Sequence, residues 1–421
     1  MGDVVKLEKP PAKGKKPVAK PRRRRPRRSR TALVLGGGGF TGGVYEIGAL
    51  RALDLLAVNR TVNDFDVFVG TSAGSFVSSL VANGVTPEEM MRVVNEQPPS
   101  PFRDVDRGQL MRPNITEFAQ SAAMLPLRML GVLKTVATQR GLSLVDVAAE
   151  IAQGLPSGAY STRGVEQYLD GVLSESGRVN DFRKLKRELY LTATDLDTTE
   201  RIVFGEDGWN DVSIAKAVSA STALPMVYKP VEIGGRHLID GGIRSTTNVD
   251  VAVERGAKFI VVVNPLVPYV NDFQKQIPTA FGSKVRRVAD MGFAQIGYQT
   301  FKLLAHQRLH EAVSQWKERY PGVDIVLIEP EPNDQLMFET NIMNFNRRVD
   351  IARHGFESVT IKLAEDYDDL KSVCAKHGIE ISATRVRKVV GKLERGREKT
   401  AAWRRILEQT TGSLLRQSED G

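Results

Sequence analysis

The segment VLGGGGFTGGVYEIG (Val34–Gly48) joins an apolar run to six glycines before a helix-like pattern begins. Thr31–Leu35 is short and apolar, and Val44, Ile47, Leu50 and Leu53 recur every three residues beyond the glycines, so the reading is strand, loop, helix. Bare backbone at such a junction lets something anionic approach main-chain N–H groups closely: a dinucleotide, a nucleoside triphosphate or an oxyanion. A P-loop requires Gly-Lys-Ser/Thr at its end, and Gly42-Gly43-Val44 stands there instead. Gly37, Gly39 and Gly42 satisfy G-x-G-x-x-G, which keeps a nucleotide-binding enzyme as a rival. A dinucleotide site also needs an acid closing the second strand, yet Asp64 and Asp66 stand at that strand's beginning and Gly70-Thr71-Ser72-Ala73-Gly74 at its end.

Further along the chain the unit repeats. Phe65–Val69 reads as a strand running into Gly70–Gly74, and Phe76, Val77, Leu80 and Val81 then mark a helix. Leu189–Leu196, Arg201–Phe204, Arg236–Gly242, Lys258–Asn264 and Asp324–Pro330 are later strand candidates, with helical patterns such as Val249–Ala257 between several of them. This alternation predicts an α/β fold, a mostly parallel central sheet sandwiched by helices. Residues from about 96 to 187 lack strong strand patterns and read as an inserted helical cap. Inside it, Ser121–Ala137 is apolar, broken by Pro126, with Arg128 and Lys134 its only charges; the expectation is a cap helix buried over the sheet, the alternative a lid that touches lipid. Residues 266–421 read as a C-terminal extension with one more strand and mostly helices, ending in the basic stretch Thr384–Gln409.

Charge is unevenly placed. Of 421 residues, 59 are basic and 50 acidic, a net of +9. Residues 1–30 hold 13 of the basic and 2 of the acidic side chains, which leaves 46 against 48 and a remainder at −2. That proline- and arginine-rich head reads as a disordered basic tail suited to an anionic membrane surface or to nucleic acid, and sequence does not choose between them. The single cysteine, Cys374, allows no internal disulfide and fits a reducing, cytoplasmic setting, peripheral to a membrane if the tail engages lipid. No apolar run approaches the roughly 18 residues of a membrane span.

In G-x-S-x-G the serine sits on a sharp strand-to-helix turn, which exposes its hydroxyl; Ser72 is therefore a nucleophile candidate, although an isolated match also describes a turn whose serine caps the next helix. In a parallel sheet the loops after adjacent strands open on one side, so main-chain N–H groups of Gly37, Gly38 and Gly39 can face Ser72 and stabilise an oxyanion formed there. The usual base is histidine. None of His237, His306, His310, His354 and His377 follows a strand in a glycine-rich loop; His306 and His310 share a helical segment one turn apart, on its polar side. Asp240, ending the strand pattern before Gly241 and Gly242, is the better candidate, with an ordinary Asp-Gly turn as the alternative.

Taken in order, Gly37–Gly42, Gly70–Gly74, Ala220-Ser221-Thr222-Ala223-Leu224-Pro225 and Asp240–Gly242 resemble the motifs of the patatin-like phospholipases. The resemblance covers residues 31–265, the expected hydrolase domain. It implies a serine lipid acyl hydrolase with a Ser72–Asp240 dyad, an oxyanion hole at Gly37, Gly38 and Gly39, supporting glycines at 42, 70, 74, 241 and 242, and neither metal nor cofactor. The implied substrates are phospholipids or related acyl esters. Two positions depart from the family: Thr41 stands where a basic residue is usual, and Glu46 where a histidine is frequent. A non-catalytic scaffold that keeps the fold is the remaining alternative, and oligomeric state is not legible.

Overall fold

A computed structural model describes residues 28–138, 154–270, 277–278, 284–332, 334, 336–337, 345–392 and 395. The basic head up to residue 27 and most of Thr384–Gln409 lie outside the described residues.

Eight strands form the central sheet: β1 (Thr31–Leu35), β2 (Val67–Thr71), β3 (Glu188–Asp195), β4 (Arg201–Phe204), β5 (Val231–Ile233), β6 (Arg236–Asp240), β7 (Phe259–Val263) and β8 (Asp324–Ile328). Their order is β8-β7-β1-β2-β3-β6-β5, with β4 also on β3. From β8 to β3 every pairing is parallel; β4, β5 and β6 join antiparallel. The sheet is thus mostly parallel in its centre, and strand direction reverses at one edge, which the βα alternation alone does not reveal.

The central strands are apolar along their whole length because both faces are covered. In β1, Leu33 and Leu35 enter one core while Ala32 and Val34 enter the other. The larger core packs under α1 (Gly39–Leu56), α2 (Ala73–Ala82) and the helix Arg163–Leu173; the opposite one lies under α4 (Val249–Glu254) and Trp316 and Tyr320 of α5 (Phe293–Arg319) and the turn after it. The remaining helices used below are α3 (Ile115–Thr138), between α2 and Arg163–Leu173, and α6 (Arg348–Glu365), which follows α5.

Residues 96–187 differ from the expectation in two respects. Arg163–Leu173 is an amphipathic helix whose Val165, Leu169, Val172 and Leu173 belong to the main core, and Gly158–Ser161 forms a small sheet with Arg112–Pro113 and Met226–Tyr228. Over its described side chains, the apolar segment beginning at Ser121 is exposed rather than buried over the sheet. Ile115, Phe118, Met124, Leu125, Leu127 and Leu130 of α3 are all exposed, at spacings that point them around the whole helix rather than along one stripe. An apolar helix needs a low-dielectric surrounding, and composition does not say whether protein or lipid supplies it.

The extension after residue 265 is tied to the rest of the fold by α6, which lies against α1. The two backbones approach so closely that a methyl group on Gly48 would stand 2.2 Å from the Ala352 carbonyl oxygen, and one on Gly355 would stand 2.5 Å from that of Tyr45. Gly355→Ala is therefore expected to destabilise the fold by about 1–3 kcal/mol, read as a lower urea midpoint. Gly171→Ala, at a helical position with open space around it, is expected to leave the midpoint unchanged or raise it.

Candidate active site

Register brings the candidate residues together. Leu35 pairs with Gly70 and Thr71 with Thr192, so the loop after β1 and the turn after β2 leave the sheet at one level. Strand β3 runs three residues beyond Thr192, and β6 returns along that overhang with Ala193 opposite Asp240. An antiparallel strand therefore carries Asp240 to the carboxyl ends of its parallel neighbours.

Ser72 caps α2 with φ 54° and ψ −125°, a positive-φ conformation that costs a non-glycine residue about 1–3 kcal/mol. The turn closes through the Gly74 N–H to the Gly36 carbonyl at 3.1 Å, and a methyl on Gly74 would fall 2.4 Å from the Leu35 carbonyl oxygen. Gly70 is as tightly enclosed, against Ser75. Ser72 Oγ donates to Asp240 Oδ2 at 2.5 Å, and Asp240 Oδ1 accepts from the Gly242 N–H at 2.7 Å. Gly241 packs on Thr192, where a side chain would collide with the carbonyl oxygen.

The Ala220–Pro225 stretch, which closes the helix Ile214–Ser221, braces both partners. The Ser72 N–H donates to Ser221 Oγ at 2.9 Å, and Ser221 Oγ donates to the Thr192 carbonyl at 2.7 Å. The Asp240 N–H donates to the Ala223 carbonyl at 3.0 Å. Sequence reading picked out this motif but gave it no role. Behind it, Asn248 Nδ2 donates to Thr71 Oγ1 and Thr192 Oγ1, knitting β2 to β3 beneath the turn.

The glycine loop lies beside the serine. A methyl on Gly37 would stand 3.3 Å from Ser72 Cβ; Gly38 packs under Pro265, and the Gly42 N–H closes the first turn of α1 onto the Gly38 carbonyl at 3.0 Å. Gly37, Gly38 and Gly39 stand at the N-terminus of an 18-residue helix, where main-chain donors and the helix dipole both favour negative charge. They line one largely apolar cavity with Ser72, Asp240 and Gly242. Its walls include Phe40, Ile47, Phe76 and Leu224, together with Tyr298 and Phe301 of α5, which no local motif announces.

Asp240 is only 3 % exposed. Burial raises its pKa to about 6, against smaller opposing effects of the hydrogen bonds from Ser72 and Gly242. Among the described residues no histidine lines the cavity. His237 is exposed beside Asp197, His354 pairs with Asp334, His377 with Asp324 and His310 with Glu329. Thr41 is buried in the first turn of α1, and Glu46 is buried on the same helix. Burial pushes the Glu46 carboxyl well above the ordinary carboxylate range, against a smaller opposing effect of the Gly36 main chain. Cys374 is buried, its thiol pushed up to about 11.

With this geometry in view, residues 33–253 match the family described as Patatin-like phospholipase. The match spans more than half of the chain, and the protein belongs to that family. Among curated relatives, the uncharacterized protein YqhO of Bacillus subtilis is 24 % identical over 221 residues, covering 49 % of this chain and 64 % of that protein. The probable lipid hydrolase 463L of Invertebrate iridescent virus 6 is 22 % identical over 228 residues, covering 53 % and 63 %. The aligned region thus spans less than two thirds of either relative. Of solved structures, VipD from Legionella pneumophila aligns over 79 % of this chain and 67 % of its own, at 15 % identity and a TM-score of 0.34. The type III effector ExoU aligns over 90 % and 65 %, at 15 % identity and a TM-score of 0.30.

The raised pKa of Asp240 carries a stability consequence. Its folded pKa, about 6, exceeds the unfolded value of about 3.9, so its contribution is most favourable below pH 4 and is lost as pH rises through 6. Asp240→Asn, which keeps an acceptor for Gly242, is expected to stabilise the protein at pH 8 by on the order of 2 kcal/mol and to give no gain at pH 4. Urea unfolding at the two pH values checks this.

Proposed function

We propose that the protein is a serine acyl hydrolase acting on lipid esters, with Ser72 as nucleophile and Asp240 as its base. The observation that carries this reading is the 2.5 Å hydrogen bond between a strained serine and a buried carboxylate at the floor of an apolar cavity. As Ser72 Oγ attacks the acyl carbonyl, its proton passes to Asp240 Oδ2, and the carbonyl π electrons move onto oxygen. N–H groups of Gly37, Gly38 and Gly39 at the head of α1 are the donors assigned to that oxyanion. The tetrahedral species collapses by expelling the alcohol, which takes the proton from Asp240 and leaves acyl-Ser72. Water then enters, gives a proton to Asp240, and releases the fatty acid as the proton returns to Ser72 Oγ.

A carboxylate serves as base here because burial makes it more basic while leaving it ionised near neutrality. Removing Ser72 Oγ with Ser72→Ala is expected to lower kcat/KM for a chromogenic acyl ester by about 10^4-fold or more, and Asp240→Asn by about 10^3- to 10^4-fold. In the wild type kcat/KM falls as pH drops through about 6, where Asp240 becomes protonated. An acid limb near pH 4, or full activity in Ser72→Ala, contradicts the assignment.

Lipid as substrate agrees with the cavity walls and with α3, whose outward apolar side chains suit the acyl region of a membrane better than water. No helix among the described residues is long and apolar enough to cross a membrane, so the proposed contact is peripheral. Leu127→Glu with Leu130→Glu, both on the exposed surface, is expected to weaken vesicle co-sedimentation at least 10-fold. The same pair leaves hydrolysis of a water-soluble ester unchanged. Deleting residues 1–30 tests the basic head in the same assay: reduced binding to acidic vesicles assigns it to anionic lipid, and unchanged binding removes that role.

A further inference from the structure

The helix α5 carries His306 and His310 one turn apart, so both imidazoles lie on one face (ring centroids 4.1 Å apart). Glu329, immediately after β8, meets them there: His310 Nε2 is 2.9 Å from Glu329 Oε2, and one ligand atom from each of the three side chains lies within 4.8 Å of the others. The second Glu329 oxygen accepts from Asn264 Nδ2 at 2.7 Å, and Asn264 is completely buried. The carboxylate is thus oriented from behind, as ligating carboxylates are.

We propose that His306, His310 and Glu329 form a binding site for a zinc-class divalent metal ion that fastens α5 to the carboxyl end of β8. Two imidazoles and one carboxylate make a borderline donor set suited to zinc and its neighbours, whereas calcium and magnesium demand shells of oxygen. Bonds of about 2.0–2.2 Å in a tetrahedron place ligand atoms about 3.3 Å apart. The His310–Glu329 pair is already inside that spacing, and small rotations of two partly exposed rings bring in His306. His310 is on the exposed side, leaving the fourth position to water.

The site has no part in the acyl-transfer steps proposed above; its effect is mechanical. Helix α5 also supplies Tyr298 and Phe301 to the cavity wall. Asn264, which orients Glu329, has its Oδ1 only 3.2 Å from where a methyl on Gly36 would stand, at the base of the glycine loop. Metal at this point therefore stiffens one wall and the loop base together.

The test uses the full chain, stripped with EDTA and titrated with Co2+ and then Zn2+. Expected are one equivalent of Co2+ with the intense visible absorption of a four-coordinate site, its displacement by Zn2+, and a higher melting temperature with Zn2+. His306→Ala, His310→Ala and Glu329→Gln are each expected to weaken binding at least 10-fold and abolish the thermal shift while melting like the wild type without metal. His237→Ala binds as the wild type does. No cobalt spectrum and no zinc shift in folded wild type, or undiminished binding in both histidine variants, overturns the proposal.

Discussion

The 2.5 Å contact between Ser72 and Asp240 is the constraint around which the rest of the structure is arranged. It requires a parallel strand and an antiparallel strand to finish at the same level, and the overhang of β3 beyond β2 makes that possible. Every close approach nearby serves the same end. Gly74 lets the turn after Ser72 sit against β1, Gly241 lets the chain leave Asp240 across Thr192, and Ser221 and Ala223 take up the main-chain N–H groups of the two partners.

Burial then sets the electrostatics. The Asp240 carboxylate, 3 % exposed and accepting hydrogen bonds from Ser72 and Gly242, has its pKa raised toward neutrality, which suits the proton-acceptor role proposed for it. Glu46 marks the contrasting case on the helix that begins at the glycine loop. Its burial pushes the carboxyl well above the ordinary carboxylate range, with only the Gly36 main chain acting against that shift. The N-terminus of α1 presents main-chain donors to the same cavity.

Much of the candidate site was legible because its residue patterns are local. Glycines at 37–39, 42, 70 and 74, the serine between two of them and the aspartate before Gly241 are short-range patterns whose residue types are dictated by backbone approach. Other features depend on what lies far along the chain. A five-residue strand such as Arg236–Asp240 carries no sign of its direction, so the antiparallel return stayed hidden. Tyr298 and Phe301 reach the cavity from a helix more than two hundred residues after Ser72, with only ordinary helical spacing to announce them. The apolar side chains of α3 misled for a related reason, since they suit a protein interior or a lipid surface equally. His306 and His310 read as a polar helix face, and Glu329 as the end of a strand; only folding brings the three together.

In the proposed mechanism Ser72 is an activated nucleophile whose proton goes to Asp240. Reaction of the folded protein with a fluorophosphonate ester, followed by mass mapping of the digest, tests it most directly. A single adduct on Ser72 is expected, absent from Ser72→Ala and formed far more slowly in Asp240→Asn. No adduct on folded wild type, or equal labelling of Ser72→Ala, contradicts it.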